Sequence, residues 1–149
     1  MKFQFVLLVF ALALVAGAGF SQTPPASVVG GWKIDVRFGG RESHALRFEA
    51  RVAGKGSFAA VVPAPNETGP TGATEAEWSE NANGSIAFSG PVQFPLGNVG
   101  LERGTLVLQG KLQTDGSITG EAKFFPVDQD PSKANPLKSG TFKAIRQLP

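Results

Sequence analysis

The side chain best suited to acid–base chemistry in this sequence is its single histidine, His44. It stands beside Arg41, Glu42 and Ser43, but a serine hydrolase needs a nucleophile and a carboxylate arranged around the imidazole. The nucleophile motif G-x-S-x-G does not occur in the chain. Polar residues are also expected at the edge of a hairpin, so we interpret His44 as a solvent-exposed turn residue.

Three glutamates, Glu75, Glu77 and Glu80, form the densest group of carboxylates. A pair of carboxylates can act as acid and base in glycoside hydrolysis. Along an extended strand, however, side chains alternate between the two faces, so Glu75 and Glu77 point away from the face that carries Trp78. We therefore expect them to lie on a solvated outer face.

A second polar group, Asp128, Asp130 and Asn135, lies in a stretch rich in loop-forming residues. Its oxygen atoms could coordinate a hard cation, but the spacing lacks the glycine and the final glutamate of a calcium-binding helix-loop-helix. The chain has no cysteine, which excludes disulfide scaffolds, zinc ribbons and thiol catalysis. The sequence therefore predicts no catalytic residue, no metal site and no cofactor, and the protein is not expected to be an enzyme.

The charge balance gives no electrostatic reason to expect a nucleic-acid partner. The chain of 149 residues carries 14 basic and 12 acidic side chains, a formal net charge of +2. Proteins that bind nucleic acids usually show a strong basic excess concentrated on one face.

The first residues have the pattern of a secretory signal peptide. A short basic start at Lys2 precedes an unbroken apolar run from Phe5 to Phe20, which is shorter than the roughly 20 residues that span a bilayer as a helix. Small residues near Ala18 predict cleavage after Ala18 or after Ser21. The alternative is an uncleaved membrane anchor. We thus expect residues 1–21 to be a signal peptide and the mature protein, with no later membrane span, to be secreted or periplasmic. Export without cysteine favours a bacterial envelope.

The remainder, residues 22–149, predicts a single all-β domain. Trp32, Ile34, Val36 and Phe38 alternate with charged residues, which is the period of a half-buried strand. Similar alternation recurs at intervals of about ten residues, with hairpin signals at 83–84 (Asn-Gly) and 115–116 (Asp-Gly). We count eight strands, which predict an up-and-down antiparallel β-barrel, with a β-sandwich as the alternative. The up-and-down order places three long loops, Pro63–Thr74, Pro95–Arg103 and Pro126–Ser139, at one end of the barrel.

An eight-stranded barrel can be filled by its own side chains or can hold one small ligand. The inward-facing set is mostly apolar and includes Phe48, Leu108 and Phe124, which would line a ligand cavity. Small residues such as Gly110 and Gly120 could leave room for an apolar guest, or could let large neighbours fill the middle. Both possibilities stay open.

The head of the first strand, Gly30-Gly31-Trp32, resembles the G-x-W signature that opens the first strand of lipocalins and related calycin barrels. In that family a basic residue near the last strand covers the tryptophan at the closed end of the barrel, and Arg146 stands at the corresponding place. The resemblance implies a carrier that binds a small apolar molecule in its interior. The alternative is a filled-core envelope protein that acts through protein–protein contacts at its loop rim.

Overall fold

The structure, a computed structural model, describes residues 27–61, 72–95 and 100–148. The predicted signal peptide, 1–21, lies outside the described residues. Eight strands follow one another along the chain: β1 (Gly30–Phe38), β2 (Ser43–Ala50), β3 (Lys55–Ala60), β4 (Thr74–Glu80), β5 (Ser85–Pro95), β6 (Leu101–Leu112), β7 (Ile118–Pro126) and β8 (Lys138–Arg146). In the described part of the chain, the helical structure is a single 3₁₀ turn at Val52–Gly54.

The strands close into a barrel in sequence order, and β8 pairs with β1. Every pairing is antiparallel, and Trp32 of β1 lies opposite Phe48 of β2 on one side and Arg146 of β8 on the other. The prediction of an eight-stranded up-and-down barrel is thus confirmed, and the sandwich alternative is not the observed fold. Closure satisfies the backbone groups that the edge strands of an open sheet would leave unpaired.

The two predicted hairpin turns form as expected. In each turn the amide of a glycine with positive φ, Gly84 or Gly116, donates to the carbonyl oxygen of the residue three positions earlier, Asn81 or Gln113. These turns and the 3₁₀ turn lie at the same end of the barrel, which we call the turn end. The β1–β2 turn and the strand ends that flank the three long connections lie at the opposite end, the loop end.

Two strands differ from the sequence prediction. β5 runs straight through Gly90 and Pro91 to Pro95, and β6 begins at Leu101, so both ends of the predicted irregular stretch Pro95–Arg103 belong to strands. The register explains this extension, because Pro95 lies opposite Leu101 and the two strands pair along their whole length. At the other end of the barrel, Val52 follows β2 in the 3₁₀ turn and is 73% exposed.

Candidate functional site

The turn end is closed by Trp32 and Arg146. The guanidinium carbon of Arg146 lies 4.4 Å from the centre of the Trp32 ring, and its Nη1 and Nη2 donate to the carbonyl oxygens of Val29 (2.9 Å) and Ser27. The indole Nε1 of Trp32 donates to the carbonyl oxygen of Val28 at 2.8 Å, and Val28 is buried. Cation–π contact and charge-assisted hydrogen bonds therefore fix the segment before β1 across this end.

Replacing Arg146 by alanine should lower the free energy of unfolding by about 2 kcal/mol, because one side chain supplies both the cation–π contact and two hydrogen bonds to the backbone. Urea denaturation followed by tryptophan fluorescence measures this loss. The matched control is Lys143→Ala, a half-exposed cation of the same strand, which should change stability by less than about 0.5 kcal/mol. Equal losses for the two variants would contradict the closing role of Arg146.

The first group of predicted interior residues lies in the half of the barrel near the turn end. The ring of Phe48 lies 4.8 Å from that of Phe58 and 4.7 Å from that of Phe88, measured between centroids. Phe48, Phe88 and Leu108 each have 0% exposure. These three side chains are thus enclosed by their neighbours.

The same packing continues toward the loop end around Phe124, which also has 0% exposure. Its ring centroid lies 5.4 Å from that of Phe94 and 6.4 Å from that of Phe38. Aromatic pairs at these separations have favourable electrostatic contacts in addition to the area that they bury. Phe48, Leu108 and Phe124, predicted to line a ligand cavity, thus lie against other side chains of the barrel.

Glycines under the aromatic rings indicate how the middle of the barrel is occupied. A β-carbon added to Gly56 would lie 2.4 Å from Cζ of Phe48, and one added to Gly104 would lie 2.5 Å from Cζ of Phe124. Gly110 would similarly meet the ring of Phe142 at 2.9 Å. At Gly56 the nearest atom belongs to the ring of Phe48, whereas at Gly104 and Gly110 the backbone carbonyl oxygens of Phe125 and Thr119 in β7 lie closer than the rings.

A network of charged side chains covers the aromatic rings at the loop end. Nζ of Lys138, the first residue of β8, donates to Oε1 of Glu42 at 2.7 Å and to Oε2 of Glu102 at 2.6 Å. Nε2 of His44 donates to the same oxygen of Glu42 at 2.9 Å. We call these four residues the Lys138 network. None of them was predicted as a site residue.

The structure corrects the interpretation of His44 as an exposed turn residue. The imidazole lies in β2, its side chain is only 10% exposed, and its ring stacks on Phe94 with a centroid distance of 4.0 Å. The physical reason is strand phase, because His44 shares the inward face of β2 with Leu46 and Phe48.

The network shifts the pKa values of two of its members, Glu42 and Lys138. Hydrogen bonds from His44 and Lys138 hold the pKa of Glu42 below its ordinary value of 4.5, against the effect of burial. Burial lowers the pKa of Lys138, but hydrogen bonds to Glu102 and Glu42 outweigh it and raise that pKa above 10.5. Ionised Glu42 thus stabilises the fold above pH 4.5, a contribution lost as the pH falls through its folded-state pKa. The contribution of protonated Lys138 is present below pH 10.5 and is lost as the pH rises through its folded-state value.

These protonation states limit the chemistry of the network. An amine whose pKa is raised is protonated near neutral pH and is a poor nucleophile. Within residues 27–61, 72–95 and 100–148, no group of three or more acidic, histidine or cysteine side chains is arranged to hold a metal ion. The network is therefore best suited to hold strand ends together.

The other candidate groups from the sequence lie on the outer surface. Glu75 and Glu77 are exposed and pair with Arg51 and Lys55, each at 2.9 Å. Asp130 accepts hydrogen bonds from the amide and hydroxyl groups of Ser132 in the β7–β8 connection, as expected for a turn. The structure does not bring these carboxylates to the barrel interior.

Comparisons with known proteins give no match: no model of a protein family, no curated protein and no solved structure matches this chain. Among the described residues, no helix is both long and apolar enough to cross a membrane.

Proposed function

We propose that this chain is an exported β-barrel protein with a filled core, and that it acts by binding another envelope protein through its loop end. The observation that carries the proposal is the packing of the interior. Phe48, Leu108 and Phe124 are fully buried, and the rings of Phe48 and Phe124 pack against other phenylalanine rings, which supports a filled interior. The partner protein then contacts the outer surface of the barrel rather than its interior.

The loop end supplies a suitable binding surface. Lys138 connects the start of β8 to the start of β6 and to the residue before β2, so the strand ends that carry the connections are held in place. Apolar side chains are exposed on the β7–β8 connection, where Val127 is 60% and Leu137 is 57% exposed. The amide of Leu137 donates to the carbonyl oxygen of Phe124 at 2.8 Å, which fixes its position. Loops on a rigid frame commonly carry recognition.

Two further elements of the proposal concern family and chemistry. The contact between Trp32 and Arg146 supports a lipocalin-like architecture, as the resemblance implies. The protein is not an enzyme in this proposal, because Lys138 is held protonated and the Glu42–His44 pair is bonded to it rather than to a nucleophile. The competing hypothesis is that the barrel carries a small apolar molecule.

Native mass spectrometry of the mature protein, exported through its own signal peptide in a bacterial host, separates the two hypotheses. We expect the mass of the bare chain, beginning at Gly19 or Gln22. An additional mass of a few hundred daltons that organic solvent releases would contradict the filled core and favour the carrier.

A crosslinking experiment in the same host tests the binding surface itself. Lys133, in the β7–β8 connection, is highly exposed and can react with a lysine-directed crosslinker. The double variant Val127→Ser/Leu137→Ser should lower the yield of the crosslinked complex about tenfold, as expected for loss of buried apolar contacts. The matched control is Val52→Ser, an exposed apolar residue of the turn end, which should leave the yield unchanged. Equal yields for both variants would overturn binding at the loop end.

A further inference from the structure

The Lys138 network ties together parts of the barrel that do not otherwise touch through backbone hydrogen bonds. β8 lies between β1 and β7, whereas Glu42 precedes β2 and Glu102 lies in β6. Lys138 therefore reaches over the neighbouring strand in both directions. Its two hydrogen bonds join β8 to strands on either side, across the loop end.

The network also lies over an aromatic cluster at the loop end. His44 stacks on Phe94, and Nζ of Lys138 lies 6.0 Å from the ring centre of Phe38. The rings of Phe38, Phe94 and Phe124 pack on one another directly below. All three rings are buried, and the polar layer lies on the side of the cluster that faces the loop end.

Acid removes the attraction that holds this layer together. Among the described residues, the titratable groups of the layer are Glu42, His44, Glu102 and Lys138. The elements β1, β5 and β7 face this layer with aromatic rings. Protonation of Glu42 removes one of the two carboxylates that the ammonium group of Lys138 binds, while Lys138 keeps its charge. The charge-assisted hydrogen bond that joins the start of β8 to the residue before β2 is then lost.

We propose that the Lys138 network is an acid-released latch, which closes the loop end at neutral pH and uncovers the Phe38–Phe94–Phe124 cluster in acid. The lowered pKa of Glu42 places the release below pH 4.5. The latch rests on the proposed function for its biological role, since it would regulate the surface through which the partner binds. The acid-induced release itself is a property of the isolated protein and requires no partner.

The test compares two fluorescent signals from the isolated protein as the pH is lowered from 7. Nile red is uncharged and reports newly exposed apolar surface. The two tryptophans, Trp32 and Trp78, lie in the half of the barrel near the turn end and report unfolding there. We expect Nile red emission to rise severalfold below pH 4.5, while tryptophan emission and far-ultraviolet circular dichroism stay native. A rise that coincides with loss of both native signals would be global acid unfolding and would overturn the latch.

Isosteric variants tie the transition to the network. Glu42→Gln/Glu102→Gln should bind Nile red at pH 7 as strongly as the wild type does in acid, with no further change between pH 7 and pH 4. Glu75→Gln/Glu77→Gln removes the same number of charges from exposed ion pairs and should follow the wild-type curve. A wild-type curve for the first variant would contradict the proposal. If that variant does not fold, the order of the two wild-type signals decides. No partner is present, so the outcome is independent of the crosslinking experiment.

Discussion

Replacing Phe48 by alanine should lower the free energy of unfolding by about 3–5 kcal/mol. The ring is fully buried, lies within 5 Å of two other phenylalanine rings and covers the site of Gly56. Truncation removes these contacts and leaves a cavity that the closed sheet cannot easily collapse to fill. Denaturation by urea, monitored by circular dichroism, measures the difference in the free energy of unfolding.

The size of this effect also distinguishes a filled barrel from a carrier. A phenylalanine that lines an open ligand cavity loses few contacts when it is shortened, so its variant would be destabilised much less. The matched control is Val52→Ala, an exposed residue of the turn end, for which we expect a change within about 0.5 kcal/mol. A loss for Phe48→Ala as small as that of the control would contradict the packed interior.

Replacing Gly120 by alanine should destabilise the barrel by about 3 kcal/mol, the upper part of the usual range for overpacking. An added β-carbon would lie 1.9 Å from the carbonyl oxygen of Gln109 and 2.5 Å from Cα of Gly110. Both obstacles are backbone atoms of the neighbouring strand β6, so no side-chain rotation relieves them. The strands must separate locally, which weakens pairing between β6 and β7. Thermal and urea denaturation both report the loss.

Gly39 provides the control for this substitution. It lies in the β1–β2 turn, and an added β-carbon would meet nothing within 4 Å. Gly39→Ala should therefore be neutral, or should stabilise slightly because alanine restricts the unfolded chain. Comparable losses at Gly39 and Gly120 would mean that close approach of β6 and β7 is not the cause. The close approach of the β6 backbone accounts for a glycine at position 120.

The barrel is predictable from the sequence because its strands combine alternation with clear turns. In β1, the apolar residues from Trp32 to Phe38 are the buried ones, and the hairpins at Gly84 and Gly116 fix neighbouring registers. The start of β6 is less predictable, since the inward positions there are Glu102 and Gly104 rather than large apolar residues. That segment is identified as a strand only by its pairing with β5.

The Lys138 network leaves a weak trace in the sequence. His44 is in phase with the buried residues of β2, Glu102 with those of β6, and Lys138 with those of β8. Extending each alternation toward the start of its strand would have placed these side chains on the inward face. That the four groups meet could not be deduced in this way, because the meeting depends on the stagger of strands that are distant in sequence and on closure of the barrel.

Pairing of β1 with β8 determines at which end the barrel is attached to another protein or to a surface. Ser27 is held by Arg146, and the amide of Gln147 donates to the carbonyl oxygen of Gly31 at 2.9 Å. The chain therefore enters and leaves the barrel at neighbouring positions of the turn end, opposite the Lys138 network. A tether attached before β1 or after β8 therefore holds the barrel at the turn end and leaves the loop end facing away from the attachment point. Fusion partners, surface immobilisation or a natural anchor would all present the loop end in the same orientation.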